Sequence, residues 1–237
     1  MPGTTVGVIV VSVSHTPEQQ PATAALHDPR VRVIVVDDHA AVREGVRAML
    51  ASEPDLGPIA VAANAREAVA LAERTSPDVM VLDYHLPDED GLSLCLRLKS
   101  TDAPPAALIY SAFADEHLAV LAIVAGADAL MSKAADPDEL PGAVRSLAGN
   151  AARLPVIAPL AMESAAARLD AEDLPILGML MHRTPPAEIA TTLGMDEDWL
   201  RARRWAMLKR LSGDSARPAF PSIRPHNKLG SLISGQA

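Results

Sequence analysis

Acidic side chains stand at the ends of two apolar runs. Val31 to Val36 stops at Asp37 and Asp38, and Val79 to Leu82 stops at Asp83, with Pro87 and Gly91 behind it. Runs of this kind read as buried strands of a parallel sheet, and open α/β sheets build their sites just outside the strands' carboxyl ends. If the two strands are neighbours, three carboxylates converge. Close anions repel, so either protons are retained at raised pKa or a hard dication is held by carboxylates and backbone carbonyls. Magnesium suits an open, partly hydrated oxygen site of this type. Two more strand ends supply Ser111, after Ala107 to Tyr110, and Lys133, after Ala129 to Ser132. A carboxylate nucleophile (Asp83), a metal, a hydroxyl and a lysine together make a phosphoryl-transfer site.

Positioning these groups requires a regular alternation of elements. Strands are expected at Arg32–Val36, Ile59–Ala62, Val79–Leu82, Ala107–Tyr110 and Ala129–Met131. The helical segments are Val42–Ala51, Ala65–Arg74, Leu92–Lys99, Glu116–Ala125 and Pro137–Ala148. Five β/α alternations imply a flavodoxin-like, doubly wound, five-stranded parallel sheet of order 2-1-3-4-5, which seats Asp37, Asp38 and Asp83 at the topological switch point. Asn64 is an N-cap candidate, as is Asp136 followed by Pro137. Residues 1–30 offer little to bury and read as a poorly ordered leader, 31–150 as the α/β domain, and 151–168, broken by Pro155 and Pro159, as a linker whose end can be helical. Residues 169–211 hold three short helical patterns, Asp173–Met181, Pro185–Leu193 and Glu197–Leu211, with Thr184 and Asp196 as caps and Gly194 at the tight turn. Residues 212–237 are Pro-, Gly- and Ser-rich, a frayed tail.

The charge is uneven. Arg32 to Asn150 carries nine basic and nineteen acidic residues, whereas Ala151 onward carries eleven basic and nine acidic. The acidic part argues against phosphate-backbone binding there, and the C-terminal part permits contact with a polyanion. The single cysteine, Cys95, lies in an apolar helical pattern and reads as a buried, inert thiol. No run is long enough to span a membrane and no targeting segment stands out, so a cytoplasmic protein without a membrane partner is expected.

In combination these residues resemble the response-regulator receiver domain of two-component signalling. The resemblance covers Arg32 to Asn150 and rests on Asp37-Asp38, Asp83 with Pro87 four and Gly91 eight residues on, Ser111, and Lys133 preceded by Gly126-Ala127. It implies that Asp83 accepts phosphate from a sensor histidine kinase. It also implies that Asp38, Asp83 and the His85 main-chain carbonyl bind magnesium, Asp37 helping through water, while Ser111 and Lys133 read the phosphate. Ser111 and position 130 would form the switch, and Leu130 stands where the family usually has an aromatic residue. Taken singly, Asp83 reads as a cap or turn residue, Lys133 as a solvated lysine and the His85 side chain as a surface group; the constellation reverses those odds.

Asp170 to Leu211 resembles the LuxR-type helix-turn-helix, with Pro186-Ala-Glu-Ile-Ala-Thr-Thr-Leu-Gly-Met as its closest stretch. A small all-α output domain that binds DNA is implied, with Arg201, Arg203, Arg204 and Lys209 on the recognition helix as contacts. A homodimer is compatible with this arrangement. The segment departs from the pattern at Pro175, at the acids Asp196 to Asp198, at Trp199 and Trp205, and at Arg204, where an apolar core residue is expected. The competing reading is a receiver-controlled protein-interaction module whose helices pack on the receiver or a partner. A haloacid-dehalogenase-type phosphatase would need a second Asp where His85 stands, so beyond phosphate gain and loss at Asp83 no enzyme is expected.

Overall fold

The computed structural model describes residues 30–213 other than 153 and 156. The expected leader and tail lie outside the described residues apart from Arg30, Ser212 and Gly213. The strands are β1 (Val31–Val36), β2 (Leu56–Ala62), β3 (Val79–Asp83), β4 (Ala106–Ser111) and β5 (Ala129–Ser132). They form one parallel sheet of order β2-β1-β3-β4-β5. Between and after them lie α1 (Ala40–Ala51), α2 (Ala65–Thr75), α3 (Gly91–Leu98), α4 (Glu116–Ala125) and α5 (Glu139–Ala148). The expected fold is therefore the observed one.

Alternating strand residues serve two cores, because successive side chains leave opposite faces of a sheet. Val33, Val35, Val79, Val81 and Leu108 pack beneath α1 and α5 with Val46, Leu50, Leu140 and Val144. Ile34, Val36, Met80, Leu82 and Ile109 pack beneath α2, α3 and α4. Each such aliphatic side chain contributes about 1.5–3 kcal/mol when fully buried.

The second core does not stop at α4. Every residue of α4 from Leu118 to Ala125 is buried, and a helix apolar on all sides must be covered on all sides. The sheet covers one side. The other is covered by α6 (Pro159–Ala166), α7 (Asp173–Met181) and α9 (Glu197–Ser212), with α8 (Pro186–Leu193) packed on α9. Ile176, Leu177, Leu180, Ile189, Leu200, Met207, Leu208 and Leu211 join the same core as Leu94, Leu121 and Val124.

Local chemistry accounts for the boundaries. Asn64 accepts from Glu67 N and Asp196 from Trp199 N, as N-caps do. Gly194 closes α8 in the left-handed conformation at φ 66°. Two expectations need correcting. Asp136 does not cap α5: its Oδ1 accepts from Asp138 N in a turn, and the helix begins at Glu139. Thr184 does not cap α8, since Pro185 holds that position. The helical end of segment 151–168 is α6, whose first residue is Pro159, a place where proline's missing N–H costs nothing.

Candidate functional site

Sheet register brings the two acidic strand ends together. Val36 pairs with Leu82, so Asp37 and Asp83 leave adjacent strands side by side, both buried. Asp83 pairs with Tyr110 and Ser111 with Ser132, which sets the β4 and β5 ends beside them. The Lys133 main-chain N–H donates to Ser111 O at 2.8 Å and turns the lysine inward. Its Nζ then lies 2.7 Å from Asp37 Oδ2 and 2.9 Å from Asp83 Oδ1. Burial works to lower the ammonium's pKa, yet the hydrogen bonds to Asp37 and Asp83 outweigh it and hold the group above the ordinary lysine value. One cation thus bridges two converging acids and offsets half of their charge.

Asp38 is half-exposed at the mouth of the pocket, where the His39 Nδ1 lies 2.6 Å from its Oδ1. Ligand atoms of Asp37, Asp38, His39 and Asp83 all fall within 4.8 Å of one another. Three carboxylates so close suit a hard dication, and the donor set is oxygen but for one imidazole nitrogen. His39 was not singled out in the sequence; its position directly after the two acids and at the N-cap of α1 was the available signal. Arg43 Nη1 donates to Asp37 O at 2.6 Å and fixes the turn from β1 into α1. Ser111, buried, accepts from Phe113 N at 3.2 Å.

The turn after Asp83 is tightly closed. Gly91 N donates to Tyr84 O at 2.8 Å, and His85 and Asp90 form an isolated antiparallel bridge. Gly91 is required here by proximity: a Cβ on it would stand 2.0 Å from the Asp83 carbonyl oxygen. The His85 side chain points outward, as the sequence suggested, and Leu130 sits half-buried on β5 against the α4-side core.

The basic residues of α9 are placed differently from expectation. Arg204 is buried, 3% exposed, and donates its Nε–H to Val124 O of α4, so in this arrangement it is no DNA contact: the carbonyl end of α4 holds the guanidinium against the cost of burying it. Arg203 binds the fully buried Asp173 of α7, which Arg210 also binds. Asp173 went unnoticed in the sequence because helix pattern alone gives no sign that two arginines from a later helix will reach it. Lys209 faces Asp90 at 3.8 Å and lies over the Trp205 ring. Only Arg201 remains largely exposed, paired with Asp198 on its own helix. Cys95 is buried as expected, its thiol pushed up to about 12 by burial.

Comparison with known proteins agrees with this geometry. The family model for the response regulator receiver domain matches residues 33–145. The nitrate/nitrite response regulator protein NarL of Escherichia coli is 27% identical over 204 residues, covering 81% of this chain and 90% of that protein. The DNA-binding transcriptional activator DevR/DosR of Mycobacterium tuberculosis is 36% identical over 136 residues, 55% of this chain and 63% of that protein. The crystal structure of a LuxR-family two-component response regulator from Aurantimonas sp. SI85-9A1 matches with 32% identity and a TM-score of 0.50, covering 60% of this chain and 99% of that one. Regulators predominate among the relatives, with protein-glutamate methylesterases also present. Among the described residues no helix is long and apolar enough to cross a membrane.

Proposed function

This chain belongs to the response-regulator family through its receiver domain, and on that footing we propose a phosphorylation-controlled transcriptional regulator whose Asp83 accepts a phosphoryl group from a sensor histidine kinase. The observation that carries the reading is Lys133 bridging Asp37 and Asp83 at one sheet edge beside Ser111. In the transfer an Asp83 carboxylate oxygen attacks phosphorus, the P–N bond to the donor imidazole breaks, and the imidazole leaves with the electron pair. Lys133 orients the carboxylate and meets the charge on the phosphoryl oxygens; the Ser111 hydroxyl donates to one of them. Magnesium fits the cluster of Asp37, Asp38 and Asp83 carboxylates; Asp38, Asp83 and the His85 main-chain carbonyl would hold it, with Asp37 helping through water. When bound it neutralises negative charge on the transferred group. Ser111 and Leu130 are the switch positions.

The helical region is the output, and the likeness to a DNA-binding activator supports DNA as its partner. Arg203 and Lys209 would meet a duplex only after α9 turns its docked face outward, whereas Arg201 is already exposed. A second reading, a receiver-controlled protein-interaction module whose helical domain does not bind DNA, is favoured by a specific observation: Arg204 is buried and Arg203 is committed to Asp173. Acetyl phosphate with magnesium should add one phosphoryl group by intact mass to the wild type and none to Asp83→Asn; equal labelling would defeat the assignment. Selection from random duplex DNA, with and without phosphodonor, decides the output. Absence of binding at low salt in both states puts the protein-interaction reading first.

A further inference from the structure

We propose that Lys209 of α9 is a positioning residue for the Asp83 pocket: by facing Asp90 it ties the turn that follows Asp83 to the C-terminal helix, so that α9 and the pocket's affinity for its ligands are coupled. The proposal rests on the phosphoacceptor reading above.

The turn is short and self-braced. Tyr84 O accepts from Gly91 N, His85 bridges to Asp90, and Gly91 lies against the Asp83 carbonyl. A displacement at Asp90 therefore reaches His85, whose carbonyl would hold the metal, and Asp83 itself. Asp90 is the N-cap of α3, accepting from Ser93 N and Ser93 Oγ, each at 2.8 Å. From the other side Lys209 Nζ stands 3.8 Å away. Tyr84, whose carbonyl receives the Gly91 N–H, packs its ring against the core that α9 shares. Glu89 of the same turn binds Arg97 of α3. Three side chains that follow Asp83 in sequence thus face the groups of α3 and α9.

Contact between α3 and α9 is also incomplete. A cleft of about 590 Å³ opens between them, lined by Glu89, Leu96 and Arg97 on one side and Arg201, Ala202 and Trp205 on the other. The cleft is open to solvent, with Arg97 and Arg201 half-exposed at its rim. It gives α9 room to shift relative to α3 while Lys209 keeps hold of Asp90. Since coupling between sites is reciprocal, a ligand in the pocket must bias α9 as strongly as α9 biases the pocket.

The test uses the full-length protein with magnesium and beryllofluoride as phosphoryl mimic, followed by calorimetry and by tryptophan fluorescence, because Lys209 lies over the Trp205 ring at 5.2 Å. Lys209→Ala should weaken beryllofluoride binding about two- to five-fold, the range of a partly exposed ion pair. Lys209→Arg should restore it, and the wild-type tryptophan emission should shift on ligand addition. Asp90→Asn keeps a good N-cap and removes the charge. It should cost as much as Lys209→Ala, and the double variant no more than either. Wild-type affinity in Lys209→Ala, or simple addition in the double variant, overturns the proposal while the phosphoacceptor reading stands. If the wild type binds no magnesium and beryllofluoride, both fall together.

Discussion

Arg204 of α9 donates its Nε–H to the main-chain oxygen of Val124, 2.9 Å away at the C-terminal end of α4. The contact joins the two parts of the chain at a point where a helix leaves carbonyls unpaired and carries partial negative charge. Gly126 makes it possible. Its left-handed φ of 80° ends α4, and the guanidinium fills the space a side chain would need, since a Cβ there would stand 2.6 Å from Arg204 Nη2. Burial lowers the Arg204 pKa to about 10, still well above neutrality, so the group is charged when docked.

Arg204→Ala should therefore leave a void and an unpaired Val124 carbonyl, at about 2–4 kcal/mol. Urea unfolding followed by circular dichroism measures the loss. Faster proteolysis within α6–α9 should accompany it, and unchanged stability would remove Arg204 as a fastening.

Gly91→Ala forces a methyl against the Asp83 carbonyl and should cost about 1–3 kcal/mol by overpacking. The same change should reduce Asp83 phosphorylation, because the strain is relieved by moving the acceptor. Normal labelling by intact mass would contradict that.

Lys133→Met leaves Asp37 and Asp83 facing each other without their cation. A loss of about 1.5–3 kcal/mol is expected in the absence of divalent ions, with magnesium raising the melting temperature more than in the wild type. The raised Lys133 pKa means that its contribution is complete below the ordinary value of 10.5 and is lost as pH climbs through the folded value. Wild-type stability should thus fall on that alkaline limb by an amount missing in Lys133→Met.

Cys95 should resist a thiol reagent at pH 8 in the native protein and react at once in denaturant. Its thiol ionises near 9.0 when unfolded and is pushed up to about 12 when folded. Folding therefore favours the protonated form, and stability contributed by Cys95 declines as pH rises from about 9 to 12. Rapid native labelling would show that α3 opens locally.

Arg203→Ala strips one partner from the buried Asp173 and should destabilise by about 1.5–3 kcal/mol. Arg201→Ala, on an exposed pair, should stay within about 0.5 kcal/mol. Arg201 is consequently the clean probe of DNA contact. Loss of binding in Arg201→Ala at unchanged stability would point to readout by α9, whereas loss in Arg203→Ala alone would reflect folding.

The receiver pocket was legible in the chain because its chemistry sits at strand ends, and strand ends announce themselves. An apolar run halted by a carboxylate marks both the strand and its edge, so Asp37, Asp38, Asp83, Ser111 and Lys133 could be placed once the strand order was taken as 2-1-3-4-5. Even the need to cover α4 was written in Glu116–Ala125, a helix with no polar face. What covers it was decided only by the tertiary structure. The basic pattern of α9 suits a DNA groove or a protein surface equally, since helix periodicity fixes which residues share a face but not what that face meets. Burial of Arg204, the hold of Arg203 and Arg210 on Asp173, and the approach of Lys209 to Asp90 all depend on segments 30 to 120 residues apart coming together. No local sequence signal encodes such distances; the shared apolar core of α3, α4, α7 and α9 does.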